Sequence, residues 1–392
     1  MKIAIFTDSF YPYLCGVSTD VANRARGLIE RGHEVAVFRP SARYSESYEE
    51  ENQLPEELEI YDLPISISSK RFENLSLEIP LFLPAYKSAK SFNPDIFHVD
   101  TEGGVGWQGI SCARLMDRPV VTTPHTLWGN QDYTSYLPLL SSRFVWRYLV
   151  SFHGKADLVA CPSQLMKEKL RQKGLDNEVR VLPNSIEDVE LKDEEFVKQK
   201  RKDYNLDGDP NLIYVGRISH EKSLAKVIKA YQKVVSSFPD SKFGIIGDGD
   251  VREEMEELVK DLNLTDQIEF LGSMPHEKIM QDNLYRLGDI FVTASKTESF
   301  GLTVLEAQSF GLPVVAPAAG GISEIVTDGK GAYLYSLETE EEIGKISSLL
   351  KKLMENKTKR KKMGEKALEN SKNYSVKEIA RKTENLYKEL IS

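Results

Sequence analysis

Cysteine is scarce in this chain: three residues in 392, Cys15, Cys112 and Cys161. They form no paired motif, and an odd, scattered set suits a reducing compartment better than a disulfide framework. The six histidines show no metal-ligand spacing. Long apolar runs are missing, so nothing approaches the length that spans a bilayer. An excess of base is missing too. Net charge is −9, whereas a nucleic-acid binder usually carries a basic face. The opening MKIAIFTDSF has one lysine and an apolar run cut short by Asp8, which reads as a buried strand and not as a leader. These absences predict a cytoplasmic protein, with no nucleic-acid partner and no bound metal. Any membrane contact would be peripheral, at the inner face.

What is present is a soluble composition, 41% apolar and 28% charged, in a chain long enough for two cores. Short runs rich in Val and Ile alternate with helical patterns. In the first half they are KIAIFT, HEVAVF, DIFHVD, PVVTTPH, DLVACPS and EVRVLP; in the second, NLIYVGR, KFGIIGD, QIEFLG, DIFVTAS, PVVAP and GAYLY. Strands apolar on both faces and separated by helices predict parallel sheets covered on both sides. The pattern occurs twice, interrupted by the charged segment 187–210. The expected fold is therefore α/β, with two Rossmann-like doubly wound domains, residues 1–190 and 208–375, facing a central cleft. Residues 42–62 read as a solvated loop, since Glu46 to Asp62 carry eight acids and no base. Such folds bind ligands at the carboxyl ends of their strands.

Candidate residues cluster there. Gly16 follows the first strand, at a loop-to-helix junction expected to be capped at Ser18 or Thr19. That junction is either an anion site or a plain turn. The run GVGWQG (Gly104, Gly106, Gly109) spells a dinucleotide fingerprint. It lies outside the first βαβ unit and lacks the acid about twenty positions on, so it reads as a glycine-lined turn. Asp248-Gly-Asp250 and Asp207-Gly-Asp209 are turn acids, with Asp250 expected to cap the next helix. His125 ends a buried strand, where a histidine either touches a ligand or serves the structure.

Two clusters carry more information. In YVGRISHEKS, Arg217 follows a strand and Lys222 comes five residues later; a forked donor and a mobile point charge suit a diphosphate. In TESFGLTVLEAQSFGLPVV, Glu298 precedes a helix, and the helical period turns Glu306 towards protein. A buried carboxylate needs a partner. A sugar nucleotide would supply hexose hydroxyls for Glu298 and ribose hydroxyls for Glu306, with the N–H groups around Phe300, Gly301 and Leu302 between them.

In these motifs the sequence resembles family 4 of the retaining glycosyltransferases, which have the GT-B fold. The E-x7-E motif matches Glu298 and Glu306, within ESFGLTVLEAQSFGLPVV and the following GGISEIVTDG. The G-R-x4-K motif matches Gly216, Arg217 and Lys222. The glycine loop matches Gly16, and the strand-end histidine matches His125. The resemblance implies that Arg217 and Lys222 neutralise the departing diphosphate, Glu306 binds ribose, Glu298 binds a hexose hydroxyl, and His125 lies by the donor sugar. It implies retention without a metal or other cofactor, by front-face attack, with a UDP- or GDP-hexose as co-substrate. It also implies that a final helix, near 376–392, crosses back onto the first domain. Two departures stand out. Ser223 follows the lysine where glycine is usual, and Asn184-Ser185-Ile186-Glu187 replaces an N-G-x-D turn.

For the acceptor, SSRFVWRYLVSFHGK (141–155) predicts a helix with Arg143 and Arg147 on one stripe towards Lys155, beside Phe144, Trp146, Tyr148 and Phe152. No acid occurs between Asp132 and Asp157. Such a helix is either a membrane-surface element or a core helix with snorkelling arginines. This region and the HTLWGNQDYTSYL loop are similar to glycolipid synthases that act on diacylglycerol, so a lipid acceptor is expected. A soluble sugar or polysaccharide precursor is the alternative, and a nucleotide-sugar epimerase or hydrolase a more distant one.

Overall fold

The computed structural model describes residues 1–11, 15–41, 54–64, 82–126, 141–337 and 341–392. The chain divides into two compact units, Met1–Glu187 with Ser375–Ser392, and Asp188–Tyr374. In the first, the strands are β1 (Lys2–Phe6), β2 (Glu34–Pro40), β3 (Glu59–Leu63), β4 (Ile96–Val99), β5 (Val120–Thr122), β6 (Leu158–Cys161) and β7 (Val179–Val181). Among the described residues they form one parallel sheet, ordered β3-β2-β1-β4-β5-β6-β7. The helices are α1 (Gly16–Glu30), α2 (Phe82–Phe92), α3 (Gly104–Leu115), α4 (Ser142–His153) and α5 (Gln164–Gln172).

Alternation along the strands builds two cores from one sheet. Ala4 and Phe6 pack with Phe38, Phe97 and the inner faces of α2 to α5, while Ile3 and Ile5 pack with Val21, Ala25 and Leu28 of α1. Both faces being covered explains why the strands read as continuous apolar runs.

The second unit repeats the plan. It contains α6 (Glu194–Asp203), β8 (Leu212–Val215), α7 (Leu224–Val235), β9 (Phe243–Ile246), α8 (Arg252–Asp261), β10 (Ile268–Gly272), α9 (His276–Gln281), β11 (Ile290–Val292) and α10 (Leu302–Ser309). It continues with β12 (Val314–Pro317), α11 (Ile322–Ile325), β13 (Thr327–Asp328), β14 (Gly331–Tyr335), α12 (Glu342–Met354) and α13 (Lys357–Ser371). The described strands are again parallel, ordered β10-β9-β8-β11-β12-β14-β13. The doubly wound α/β reading therefore holds. In each sheet the order reverses beside the first strand, between β1 and β4 and between β8 and β11, and such a switch point opens a crevice at the carboxyl ends.

Two local expectations need correction. Residues 59–63, read as part of a loop, form the edge strand β3; its acids Glu59 and Asp62 face outwards, as edge strands favour, and that hid the pattern. Residues 42–53 lie outside the described residues. The segment 187–210, expected as the interruption between the two domains, belongs from Asp188 onwards to the second unit and holds α6, whose Arg201 hydrogen-bonds the carbonyls of Arg286 and Gly288. The two-residue β13 has too little sequence to show any periodicity. Among the described residues, no helix is long and apolar enough to cross a membrane.

The chain ends in α14 (Val376–Ile391), which packs on α1 in the first unit. The contact is close at Gly27, where a Cβ would come within 2.7 Å of Ala380 Cβ and 2.8 Å of Val376 Cγ1. Gly27→Leu is expected to destabilise the first unit by about 1–3 kcal/mol through overpacking, seen as earlier thermal unfolding. An unchanged melting curve would contradict this packing.

Candidate active site

In the second unit the loops leaving β8 and β11 meet at the switch point. Arg217 and Lys222 come from the first loop and Glu298 from the second. Lys222 Nζ donates to Glu298 Oε1 at 2.5 Å, with both side chains half-buried. Arg217 is half-exposed and pairs with Glu221 at 3.0 Å, and Ser219 Oγ donates to the same Glu221 oxygen at 2.7 Å. The structure thus gathers two cations and two carboxylates at the ends of neighbouring strands. Burial disfavours the charge on Glu298, but Lys222 outweighs it and holds this carboxyl below its ordinary range.

Lys222 does not begin α7. It ends a short 3-10 turn, His220–Lys222, and Ser223 follows at φ 53 before α7 starts at Leu224. The left-handed backbone that a glycine would adopt freely is kept here by a serine.

Glu306 lies one turn inside α10, which starts at Leu302 after Phe300 and Gly301, the latter at φ 103. Its side chain is buried, and the protein supplies partners for both oxygens. His276 Nε2 lies 2.8 Å from Oε1, and Tyr285 Oη donates to Oε2 at 2.5 Å. Burial raises its pKa, but His276 and the Tyr285 hydroxyl prevail, so Glu306 lies below the ordinary glutamate value. The carbonyl of Glu298 is held by the Gly321 N–H at 2.8 Å, which anchors the loop before the helix. The sequence reading missed Glu221, His276 and Tyr285. Glu221 was detectable, four residues after Arg217 in the same motif. His276 and Tyr285 were not, because only the fold brings α9 and the turn Leu284–Leu287 to α10.

The first unit places a different cluster at its own switch point. Arg24 of α1 donates to Asp100 Oδ1 and Oδ2 at 2.7 and 2.8 Å and to Asp20 at 2.5 Å. His125 Nε2 is 2.8 Å from Asp100 Oδ1, and all four residues are buried. Asp20, Asp100 and His125 bring ligand atoms within 4.8 Å of one another, but the Arg24 guanidinium already supplies the positive charge there.

Gly16 is the exposed first residue of α1. The expected cap needs correction: Cys15 is the N-cap, and Ser18 is the third helical residue, accepting from the Cys15 N–H at 2.8 Å. Gly103 caps α3, so GVGWQG is the helix's first turns, and Gly106 has no room for a Cβ, which would lie 2.0 Å from the Thr101 carbonyl. The α3 N-terminus is filled by Asp8, which accepts from the Gly103 and Val105 N–H groups at 3.1 and 2.9 Å. A helix start already holding a carboxylate is a poor dinucleotide site. Asp250 caps nothing, since α8 starts after Val251; Asp248 instead pairs with Arg252 at 3.2 Å.

The predicted stripe on α4 is partly right. Arg143, Phe144, Arg147, Tyr148 and Lys155 are exposed. Trp146 and Phe152 belong to the core stripe with Val145 and Leu149, and Lys173 covers the indole, its Nζ 5.5 Å from the ring. Period 3.6 turns both aromatics inwards. Most of the HTLWGNQDYTSYL loop, residues 127–137, lies outside the described residues.

Residues 15–189 match the family described as Glycosyltransferase Family 4, and residues 196–370 match Glycosyl transferases group 1. The chain is 30% identical over 344 residues to the alpha-monoglucosyldiacylglycerol synthase of Streptococcus pneumoniae, spanning 86% of this chain and 75% of that protein. The chain belongs to glycosyltransferase family 4. A second relative of this family 4 glycosyltransferase, the alpha-monoglucosyldiacylglycerol synthase of Acholeplasma laidlawii, is 27% identical over 87% of this chain and 86% of its own length. Among solved structures, Anabaena HepE in complex with UDP-glucose superposes with a TM-score of 0.80 at 18% identity, covering all of both chains. Sucrose-phosphate synthase from Thermosynechococcus elongatus gives 0.79 at 19%, covering 99% and 98%. This family 4 glycosyltransferase has the GT-B fold.

Two variants test the local physics. Tyr285→Phe removes one donor from a buried carboxylate and should cost about 1–3 kcal/mol at neutral pH. Because Glu306 is depressed when folded, its contribution exists above the unfolded-state value and fades as pH falls through the folded one. The stability gap between wild type and Tyr285→Phe should therefore narrow on acidification; a gap independent of pH would contradict the assignment. Ser223→Gly should relieve backbone strain and stabilise the second unit by about 1 kcal/mol, measured by thermal unfolding.

Proposed function

We propose that this enzyme moves a hexosyl unit from a UDP- or GDP-hexose to a diacylglycerol-type membrane lipid, with retention and without a metal. The observation that carries the reading is the Lys222–Glu298 pair at the β8–β11 switch point, with Arg217 on the same loop. Each half of that pair matches a different part of a sugar nucleotide. The diphosphate would take Lys222 and Arg217, and the hexose hydroxyls would take Glu298. Glu306 uses one acceptor position on each oxygen for His276 and Tyr285 and keeps others for ribose hydroxyls. The first N–H groups of α10, next to Phe300, Gly301 and Leu302, lack intrahelical acceptors and suit the sugar or phosphate. His125 would lie by the donor sugar, and Gly16 would let the α1 loop approach the phosphates. The Anabaena structure in complex with UDP-glucose supports a nucleotide-sugar donor.

In the step itself, the bond from the anomeric carbon to the diphosphate oxygen breaks, and the acceptor oxygen bonds to that carbon from the same face. The acceptor proton passes to the departing phosphate oxygen. Arg217 and Lys222 stabilise the negative charge that grows on the leaving group. Metal independence is supported by these cations, which do the work a divalent ion would otherwise do.

The lipid acceptor is supported by the names of the two synthases and by the exposed face of α4. Arg143, Arg147 and Lys155 with Phe144 and Tyr148 suit the surface of an anionic bilayer, in keeping with a peripheral enzyme at the inner face of the cell membrane.

The test is to incubate the protein with UDP- and GDP-hexoses, with and without anionic liposomes containing diacylglycerol, following nucleotide release and lipid mass. A hexosylated lipid from one donor is expected; release without a lipid product would move the acceptor to soluble sugars. Glu298→Ala should lower turnover at least about 100-fold, and Glu306→Ala should weaken donor binding at least about tenfold. Near-normal transfer or unchanged donor affinity, respectively, would remove those roles. Arg143→Glu with Arg147→Glu should weaken liposome binding at least about tenfold, as read by co-sedimentation.

A further inference from the structure

The buried cluster behind His125 is larger than a single contact. Asp100 Oδ1 accepts from Arg24 and faces His125 Nε2, while Asp100 Oδ2 also accepts from Arg24. Arg24 reaches Asp20, whose other oxygen accepts from the Ser185 N–H at 3.1 Å. Arg24 Nη1 also lies 3.1 Å from His98 Nε2, which is 2.7 Å from Thr123 Oγ1. His98 Nδ1 meets the Tyr387 hydroxyl of α14. Every group in this chain of contacts is buried.

The protonation states follow from the donors. A guanidinium can only donate, so Asp100 is met on both oxygens by a permanent cation. Burial opposes its charge, but Arg24 overcomes it and keeps the carboxyl well below its usual range. His98 is pushed down to about 3 by burial and by Arg24; it is neutral, and its Nε2 faces Arg24 as an acceptor. An ionised Asp100 can only accept, so the nitrogen of His125 that faces it must carry a proton. That leaves Nδ1 to provide the lone pair in the neutral ring.

We propose that Asp100, anchored by Arg24, is a positioning residue that fixes His125 as the Nε2–H tautomer, and that turnover depends on this choice. The dependence on turnover rests on the glycosyltransferase reading, in which His125 lies by the donor sugar. With Nε2 committed to Asp100, Nδ1 is an acceptor for a sugar hydroxyl, whereas the opposite tautomer would place a second donor against that hydroxyl. Wrong-tautomer histidines cost turnover more than binding when the contact tightens only in the transition state.

The experiment labels the full chain with ¹⁵N-histidine and reads the imidazole nitrogens by NMR near pH 8, assigning His125 from a His125→Gln spectrum. His125 is expected to show a protonated Nε2 and an unprotonated Nδ1. A mixture of tautomers, or a protonated Nδ1, overturns the proposal without any variant and whatever the protein's activity.

Asp100→Leu removes the acceptor at similar volume and leaves Arg24 paired with Asp20. It should abolish the single tautomer and lower kcat at least about tenfold, with the donor KM changed by less than about threefold. Tyr387→Phe disturbs the same cluster at His98 and should keep both tautomer and kcat. Unaltered kcat in Asp100→Leu, or equal losses in the two variants, overturns the positioning role. If the wild type transfers sugar from no donor, the functional reading fails, and the NMR spectrum still decides the tautomer.

Discussion

A carboxylate drawn out of water must be met by donors or by a cation, and this protein meets that demand at five acids. Glu298 has Lys222, Glu306 has His276 and Tyr285, Asp100 and Asp20 share Arg24, and Asp8 has the start of α3. Removing the charged partner of a buried ion pair typically costs about 3–5 kcal/mol, far more than the net gain from forming the pair. The arrangement is therefore poorly explained by stability alone. Apolar replacements would fold as well.

The topology explains why they gather where they do. In a parallel sheet all strands deliver their next residue to the same edge. At the switch point the flanking crossovers leave in opposite directions, so no helix covers the gap. In the first unit that gap lies between β1 and β4, which deliver Asp8 and Asp100. In the second it lies between β8 and β11, which deliver Arg217 with Lys222, and Glu298. The repeated architecture thus produces two charged clusters with different chemistry. One encloses a buried guanidinium with a histidine beside it; the other pairs two cations with two carboxylates.

Much of this was legible in the sequence, because the signals were local. Apolar runs of strand length gave the sheets, and the helical period alone turned Glu306 inwards. It was less sufficient on α4, where Trp146 and Phe152 looked like companions of the exposed arginines. A basic helix with many aromatics has no blank face, and only burial decides which rings point in. Edge strand β3 escaped notice because charge at an edge resembles a loop. The partners of Glu306 were out of reach for another reason: His276 and Tyr285 are 30 and 21 residues away, and no periodicity links them to it.

On the proposed reading, the Lys222–Glu298 pair also bears on how the donor is distinguished from its product. In the free protein each charge satisfies the other. A nucleoside diphosphate alone would attract Lys222 with its phosphates and leave the half-buried Glu298 without its cation. The intact sugar nucleotide brings phosphate for the lysine and hydroxyls for the carboxylate, so both groups exchange one partner for another. The difference is that of an unpaired partly buried charge, on the order of 1–3 kcal/mol, or roughly tenfold to a hundredfold in affinity. On that reading, an ion pair spanning the switch point would favour the complete donor over its spent nucleotide.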